Sequence, residues 1–536
     1  MLGGHQFPAL LLTRALAWVL TLSIMGLAMV AFSWNRESVF FDGAVYFTDG
    51  DCYARMTRVR QFQEKPFTSI RTHEFENFPE GTRPHTTAPL DVLIAALAAI
   101  LAVGSAQSLA LAGAVVSPLL GLLTLLALAI WAALVRLPFR AAVLLMLAVS
   151  PIVVHGFELG RPDHQSLLIF LIAVALAAET AIRGSASVGA RYVSAVSWGI
   201  ALWVSLFEPL VLMGIVFLGR GIRFYLRGDR AECRADSPAG RFGPPALFAG
   251  ILAAALVWDG WRAAAFDPHF RQWAANIGEL RHGDPAVLFS WTGWLLAALP
   301  PLLLFGYWKS RDPLCLLWLA LVLATGGLTL WHLRWGYFLV LTFAMALPWA
   351  LAAIRWRWLA WLAFGLSLWP VASEWDRMLF PNDEAFRGRA ERVVDAVALR
   401  DAALSLRGMP DRGVLAPWWF SPAVVWWSGQ PCVAGTSHQS LPGIVDASGF
   451  YLSRDPVSAK QVLDRRKVGY VIAYEPDRVV ANAAQILSRP APEETLAERL
   501  YSDSRGLAGS FKLIHRNRFF RVYEVLPDSQ SAHPAP

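Results

Sequence analysis

Residues 108–134 read SLALAGAVVSPLLGLLTLLALAIWAAL, an apolar run of 27 residues without a charged side chain. A helix crosses the roughly 30 Å core of a bilayer with about 20 mostly apolar residues, so this run predicts a transmembrane helix. The whole chain has a matching composition, since 56% of its 536 residues are hydrophobic and only 16% are charged. We therefore expect a multi-span α-helical membrane protein.

Further apolar runs occupy most of the first two thirds of the chain. The first has no convincing cleavage site, so we expect a retained helix there. The shorter run Leu90–Val103 starts beside Pro89 and Asp91, which favours an interfacial helix. About eleven spans of the length that a bilayer requires are predicted, at residues 10–33, 108–134, 141–155, 166–182, 192–206, 209–219, 245–262, 288–307, 313–331, 335–353 and 357–371.

The basic residues assign a direction to these spans. With a cytoplasmic N-terminus, the inner connections carry most of the Arg and Lys residues of the membrane region, which is the positive-inside pattern. The polar segments 34–107, 156–165 and 263–287, the turn at His332 and everything after residue 371 are then extracytoplasmic. The inner residues are Arg136, Arg140, Arg183, Arg191, Arg220, Arg223, Arg227, Arg230, Arg234, Arg241, Lys309, Arg311, Arg355 and Arg357.

Composition excludes several other classes of protein. The net charge of +7 comes from these short connections and forms no continuous basic face, so nucleic acid is not an expected partner. Four scattered Cys residues give neither a disulfide framework nor a zinc site. We predict a polytopic transmembrane domain at 1–371, with a large first outer loop at 34–107. An extracytoplasmic mixed α/β domain follows at 372–536, with strands at Val468–Ala473 and Phe519–Val525.

The outer segments hold the candidate chemistry. Asp49 and Asp51 lie two residues apart and could share a divalent cation; alternatively they form a turn and a helix cap before solvated Arg residues. Asp163 belongs to a short connection rich in acids and His, where polar groups at a membrane boundary must be satisfied; alternatively Asp163 caps the next helix and the His residues form interfacial hydrogen bonds. Glu279 alone would be an ordinary loop residue. Arg334 could anchor the edge of a span by snorkelling or bind phosphate.

Taken together, five motifs resemble the catalytic subunits of oligosaccharyltransferases over nearly the whole chain. In that family an Asp at the start of a D-x-Y-Y-H-M-R-like stretch, a Gly-containing acidic motif, a Glu in a mobile loop, a donor-binding Arg and a WWDYG signature follow in this order. The corresponding stretches here are Asp51-Cys52-Tyr53-Ala54-Arg55-Met56, Gly160-Arg161-Pro162-Asp163-His164-Gln165, Asn276-Ile277-Gly278-Glu279, Leu333-Arg334-Trp335 and Pro417-Trp418-Trp419-Phe420-Ser421-Pro422.

The resemblance implies roles for individual residues. Asp51, or Asp49 in its place, would bind a catalytic Mg²⁺ or Mn²⁺ together with Asp163 and Glu279, and Gln165 stands where the family usually has a second acid. Arg334 and His332 would bind the phosphate of the donor. Trp418, Trp419 and Phe420 would form the acceptor region. Phe420 replaces the Asp that recognises the acceptor hydroxyl in the family, and a phenyl ring accepts no such hydrogen bond.

The implied activity is metal-dependent transfer of a sugar or oligosaccharide from a polyprenyl-(di)phosphate carrier, on the outer face of the cell (inner) membrane. The fold would be GT-C-like, and the acceptor a protein, a lipid or a polysaccharide. One alternative is a GT-C transferase that modifies a lipid or an envelope polysaccharide rather than Asn. Another is a lipid-linked saccharide transporter or flippase, although few polar residues lie near the middle of the spans.

Overall fold

The chain divides into two compact units in a computed structural model that describes residues 6–66, 68–83, 85–101, 107–184, 188–227, 238–260, 267–502 and 510–527. The first unit comprises residues 1–37, 114–258 and 278–382, and the second comprises residues 38–113, 259–277 and 383–536. Arg230 and Arg234 of the predicted inner connection, and Ala102 and Val103 of the predicted interfacial helix, lie outside the described residues.

The first unit is entirely helical where it is described. Two of its helix pairs are sharply bent, by 69° at Ser150 and by 76° near Gly293. Pro151 follows the first bend and has no N–H to continue the preceding helix. The helices are Gln6–Phe32, Ser108–Leu134, Arg140–Val149, Pro151–Phe157, His164–Gly184, Val188–Val204, Phe207–Arg227, Pro238–Asp259, Pro285–Thr292, Leu295–Ser310, Pro313–Trp331, Gly336–Ala353, Arg357–Ser367 and Trp369–Leu379, with 3₁₀ turns at Gly278–Leu280 and Leu333–Trp335.

Every predicted span overlaps one or two helices, although residues 261 and 262 of the span predicted at 245–262 lie outside the described residues. Within the described ranges, six helices are long and apolar enough to cross a bilayer, or up to eight if each bent pair is one span. The predicted count of about eleven is therefore higher. Val188–Val204 has only 17 residues, Phe207–Arg227 carries four charged residues, and the run predicted at 357–371 divides between two 11-residue helices. The multi-span helical membrane fold itself is confirmed.

The second unit combines helices with a four-stranded sheet. Gly413–Leu415 pairs in parallel with Val468–Ala473, which is antiparallel to Arg521–Val525, and Phe511–Arg516 forms the other edge. The predicted strand Val468–Ala473 is confirmed. The last strand begins at Arg521, two residues later than the predicted start at Phe519. The remaining elements are the short strands Phe40–Phe41 and Ala44–Val45, the helices Arg36–Val39 (which starts in the first unit), Gly50–Glu64, Ala88–Leu101, Phe270–Ala274, Asp383–Leu404, Ser421–Ser428, Leu441–Tyr451, Pro456–Arg465, Pro476–Leu487 and Leu496–Ser502, and the 3₁₀ turn His438–Ser440.

Buried ionic groups hold the first-loop part of this unit together. Asp91 accepts from Arg55 at 2.8 Å and from Arg58 at 2.5 Å, and all three side chains are at most 3% exposed. The sequence alternative in which these Arg residues are solvated is therefore wrong. Their pairing fixes helix Ala88–Leu101, the predicted interfacial helix, against helix Gly50–Glu64.

Glu76 connects two distant parts of the second unit. Its buried carboxylate meets the His73 ring nitrogen at 2.8 Å and accepts from the Thr82 hydroxyl at 2.8 Å. The hydroxyls of Ser437 and Ser440 donate to its other oxygen, at 3.1 and 2.8 Å. Residues 38–113, which contain most of the predicted first outer loop, thus belong to one unit with residues 259–277 and 383–536.

Candidate active site

The connection between helices Pro151–Phe157 and His164–Gly184 carries the centre of the candidate site in the first unit. Gly160 has a φ of +72°, a conformation in which a side chain would be strained. Its N–H donates to the Ala114 carbonyl at 2.9 Å, and the Ser117 hydroxyl donates to the carbonyl of Arg161. The backbone of this short segment is therefore fixed from the neighbouring helix Ser108–Leu134.

Arg161 lies between Asp163 and Glu279, two of the three predicted metal ligands of this unit. One guanidinium nitrogen is 3.1 Å from the Glu279 carboxylate and 3.8 Å from that of Asp163. The other terminal nitrogen is 3.1 Å from a ring nitrogen of His155. Arg161 is itself only 6% exposed and the Asp163 side chain 12%, whereas the Glu279 side chain is 33% exposed, so water partly screens the Arg161–Glu279 ion pair. The sequence motif contained Arg161 but gave it no role.

Tyr337 completes the contacts of Glu279. Its hydroxyl lies 2.9 Å from the second ring nitrogen of His155 and donates to the Glu279 carboxylate at 3.4 Å. Tyr337 could not be predicted as a site residue, because nothing in the apolar helix Gly336–Ala353 distinguishes its hydroxyl as functional.

The segment that carries Glu279 is held by the segment that precedes this helix. His332 donates a ring N–H to the Leu280 carbonyl at 2.6 Å, and the Leu333 N–H donates to the Arg281 carbonyl at 3.0 Å. His332, predicted to bind donor phosphate, therefore fixes the backbone next to Glu279 in this structure. Its role at a phosphate stays a prediction.

Arg334 is paired with a carboxylate that the sequence analysis did not include in the site. Its guanidinium lies 2.8 Å from Glu208, which is 1% exposed and accepts from the Ser205 hydroxyl at 2.5 Å. The same guanidinium nitrogen is 3.5 Å from His164, whose other ring nitrogen is 2.6 Å from Asp163. One polar network thus runs from Glu208 to Asp163.

The formal charge of this network is negative. Four carboxylates face two guanidinium groups, which leaves an excess of two negative charges when both imidazoles are neutral. Such an excess at a membrane boundary favours a bound cation. The charged groups are Glu158, Asp163, Glu208, Glu279, Arg161 and Arg334.

The ligand atoms are of the type that binds a hard divalent cation, but there are too few of them among the described residues for a complete coordination shell. Asp163 and Glu279 offer carboxylate oxygens, and the side-chain amide of Gln165 is 1% exposed with neither polar atom hydrogen-bonded in the described part of the chain. Such oxygens are the ligands that Mg²⁺ and Mn²⁺ take. Over the described ranges, however, no three His, Cys, Asp or Glu side chains come together as a metal-binding group.

The second unit brings two other predicted motifs together. Asp49 is the N-cap of helix Gly50–Glu64 and accepts from the Cys52 N–H at 2.9 Å, so the capping alternative is confirmed for it, while Asp51 is exposed in the first turn. A side chain on Gly50 would come within 2.5 Å of the Thr436 methyl and 3.5 Å of the Trp419 carbonyl. The acidic first-loop motif therefore packs directly against the predicted acceptor region.

Within that region, Phe420 belongs to an aromatic cluster. Its ring centroid is 4.9 Å from that of Tyr474 and 5.4 Å from that of Phe520, in edge-to-face geometry. The Trp418 indole donates to Asn482 at 2.9 Å. The position that holds an Asp in the resembled family thus holds a packing residue here.

These elements form a multi-span helical membrane fold with a mixed α/β domain. No protein-family model and no curated protein matches the sequence. Solved structures do match it. The archaeal oligosaccharyltransferase AglB from Archaeoglobus fulgidus, in complex with an inhibitory peptide and a dolichol-phosphate, matches with a TM-score of 0.67 and 15% identity, over 97% of this chain and 75% of that one.

Two further structures of an Archaeoglobus fulgidus oligosaccharyltransferase also match the fold of this chain. The complex with Zn and sulfate matches with a TM-score of 0.64 and 15% identity, over 94% of this chain and 72% of that one. The form tethered to an acceptor peptide containing the NVT sequon matches with a TM-score of 0.62 and 14% identity, over 94% of this chain and 74% of that one. The resemblance that the motifs carry is confirmed at the level of the fold, and the low identity is that of a divergent chain.

Proposed function

We propose that this protein is a membrane glycosyltransferase that moves a sugar or oligosaccharide from a polyprenyl-(di)phosphate carrier to an acceptor on the outer face of the cell membrane. The observation that carries the proposal is the meeting of Asp163 and Glu279 around Arg161, in a chain with the oligosaccharyltransferase fold. These carboxylates come from two separate connections and meet at one buried guanidinium.

Departure of a lipid phosphate places growing negative charge at the site. Asp163 and Glu279 would hold a Mg²⁺ or Mn²⁺ ion, which acts as a Lewis acid for that charge. The solved relative with Zn and sulfate supports a divalent cation in this fold. Asp51 or Asp49 stays a predicted further ligand on sequence grounds, and so does Gln165.

Arg334 supplies a fixed positive charge beside these carboxylates. A guanidinium binds phosphate oxygens through two parallel N–H donors, and Glu208 holds this one in a single orientation. His164 lies beside it and links it to Asp163. We assign Arg334 to the donor phosphate, while the apolar helices receive the polyprenyl tail.

The structure says less about the acceptor than about the donor. Phe420 packs against Tyr474 and Phe520 and offers no acceptor atom for a Ser or Thr hydroxyl. This packing favours the second candidate function, in which the same transfer modifies a lipid or an envelope polysaccharide instead of an Asn side chain.

Coexpression with a reporter protein that contains Asn-x-Ser/Thr sites, in a host that makes a polyprenyl-linked sugar, tests both candidates. Mass spectrometry of the reporter, of the envelope lipids and of the hydrolysed envelope polysaccharide would find the new sugar in one of these three pools, and Asp163→Ala provides the inactive control. A sugar in none of the three pools, with the intact protein in the membrane and its donor present, would contradict glycosyl transfer.

A further inference from the structure

The guanidinium of Arg161 takes up the space between two carboxylates that would otherwise repel one another. It is 3.1 Å from Glu279 and 3.8 Å from Asp163. An arginine side chain stays protonated at any physiological pH, so this positive charge is permanent. Both carboxylates are therefore already neutralised in part by a residue of the chain itself.

A divalent cation needs the same oxygen atoms. Mg²⁺ is bound at about 2.0 to 2.1 Å from its oxygen ligands, and a guanidinium beside those oxygens would repel it. The backbone of Arg161 is fixed, because its carbonyl accepts from the Ser117 hydroxyl. Movement of its side chain would remove the guanidinium from both carboxylates, while His164 stays beside Asp163 and Tyr337 beside Glu279.

We propose that Arg161 is an internal competitor of the divalent cation: its ion pair with Glu279 and cation binding by Asp163 and Glu279 exclude one another. This inference rests on the proposed function, because it takes these two carboxylates as metal ligands. Arg161 holds the pair of carboxylates together before the cation binds and sets the cation concentration that the site requires.

Titration of the purified full-length protein with Mn²⁺ tests this competition, with free Mn²⁺ measured by electron paramagnetic resonance. Arg161→Gln removes the competing charge, so we expect its Mn²⁺ Kd to fall by at least about fivefold, the low end of coupling between linked binding events. Arg161→Lys retains the charge and should stay much closer to the wild type. Arg281→Gln is the matched control, because Arg281 is an exposed Arg two residues from Glu279, and its Kd should not change.

The double variant Arg161→Gln/Glu279→Gln tests whether the change in Mn²⁺ affinity comes from the ion pair between these two residues. If the Arg161–Glu279 ion pair is the source of the competition, removal of Arg161 has a smaller effect in the Glu279→Gln background than in the wild type. An equal or weaker Mn²⁺ affinity in Arg161→Gln, in a protein with native gel-filtration and fluorescence profiles, would overturn the competition. Lack of Mn²⁺ binding by the wild type and Arg161→Gln alike would instead overturn the metal site of the proposed function.

Discussion

Arg334 and Glu208 form an ion pair of 2.8 Å in which the carboxylate is 1% exposed. A buried carboxylate needs such a partner, since removing one member of a buried pair leaves the other uncompensated. Glu208 belongs to the helix Phe207–Arg227 and is far from Arg334 in sequence, so the pair fixes the orientation of Arg334 from a separate element.

Glu208→Gln should therefore weaken the donor step through Arg334. We expect kcat/KM for a polyprenyl-linked donor to fall roughly 10- to 100-fold, the range for residues that orient a ligand-binding group. Steady-state kinetics with a synthetic donor measures this. The control is Glu374→Gln, whose partner Arg377 is mostly exposed and whose loss should change little. A normal KM and kcat in Glu208→Gln would count against the positioning role.

Asp163→Ala and Glu279→Ala should each lower transfer by roughly 100-fold or more, the effect of removing one group that stabilises charge in a transition state. Both proteins should still insert into the membrane, because neither residue lies in the apolar part of a span. Product formation and membrane fractionation measure the two properties. Glu384→Ala, at an exposed position, is the control. Near-normal turnover in both variants would eliminate the metal site.

Phe420→Asp introduces the residue type of the resembled family, yet we expect it to destabilise the protein. The substitution removes the ring contacts with Tyr474 and Phe520 and costs about 3 kcal/mol from lost packing alone. Thermal unfolding followed by fluorescence should show a lower midpoint, whereas Phe420→Leu should lose about 1 kcal/mol. Gain of sequon glycosylation by a fully stable Phe420→Asp protein would contradict this account of the position.

The ionised Glu76 carboxyl should stabilise the second unit against unfolding, and this stabilisation should be lost at acid pH. Burial raises the pKa of this carboxyl, but the contact with His73 and the hydroxyls of Thr82 and Ser440 outweigh it and bring the pKa down to about 2. A folded-state pKa below the ordinary value near 4.5 stabilises the fold above that value. The stability is lost as the pH falls from about 4.5 toward 2, and it amounts to about 3 kcal/mol.

Unfolding of the wild type and Glu76→Gln at pH 7 and pH 3 checks this linkage. The wild type should lose more stability than the variant between these two values. Glu74→Gln is a control of the same residue type from the same loop, since Glu74 is exposed. Parallel pH profiles of the wild type and Glu76→Gln would show that the carboxyl has no depressed pKa.

The sequence predicted those features that depend on a contiguous pattern. Long apolar runs gave the membrane helices, and the motif around Asp163 was recognisable because its residues are adjacent. The Arg161–Glu279 contact joins residues 118 positions apart, and no periodicity indicates which loop charge faces which. Asp49 allowed a cap or a metal ligand, and the structure shows the cap. The burial of Arg58 beside Asp91 could not be predicted, because charged residues are usually exposed.

The hydrogen bonds of Glu76 have a consequence for the synthesis of the protein. Its partners Ser437 and Ser440 follow it by 361 and 364 residues, so the ribosome has made most of the membrane helices before either hydroxyl exists. Until then the first loop has the carboxylate but only its local donors, His73 and Thr82. The folding of this loop is therefore completed after translation has passed residue 440, and a chain that ended at residue 382 would keep its apolar helices while this loop lacked its distant partners.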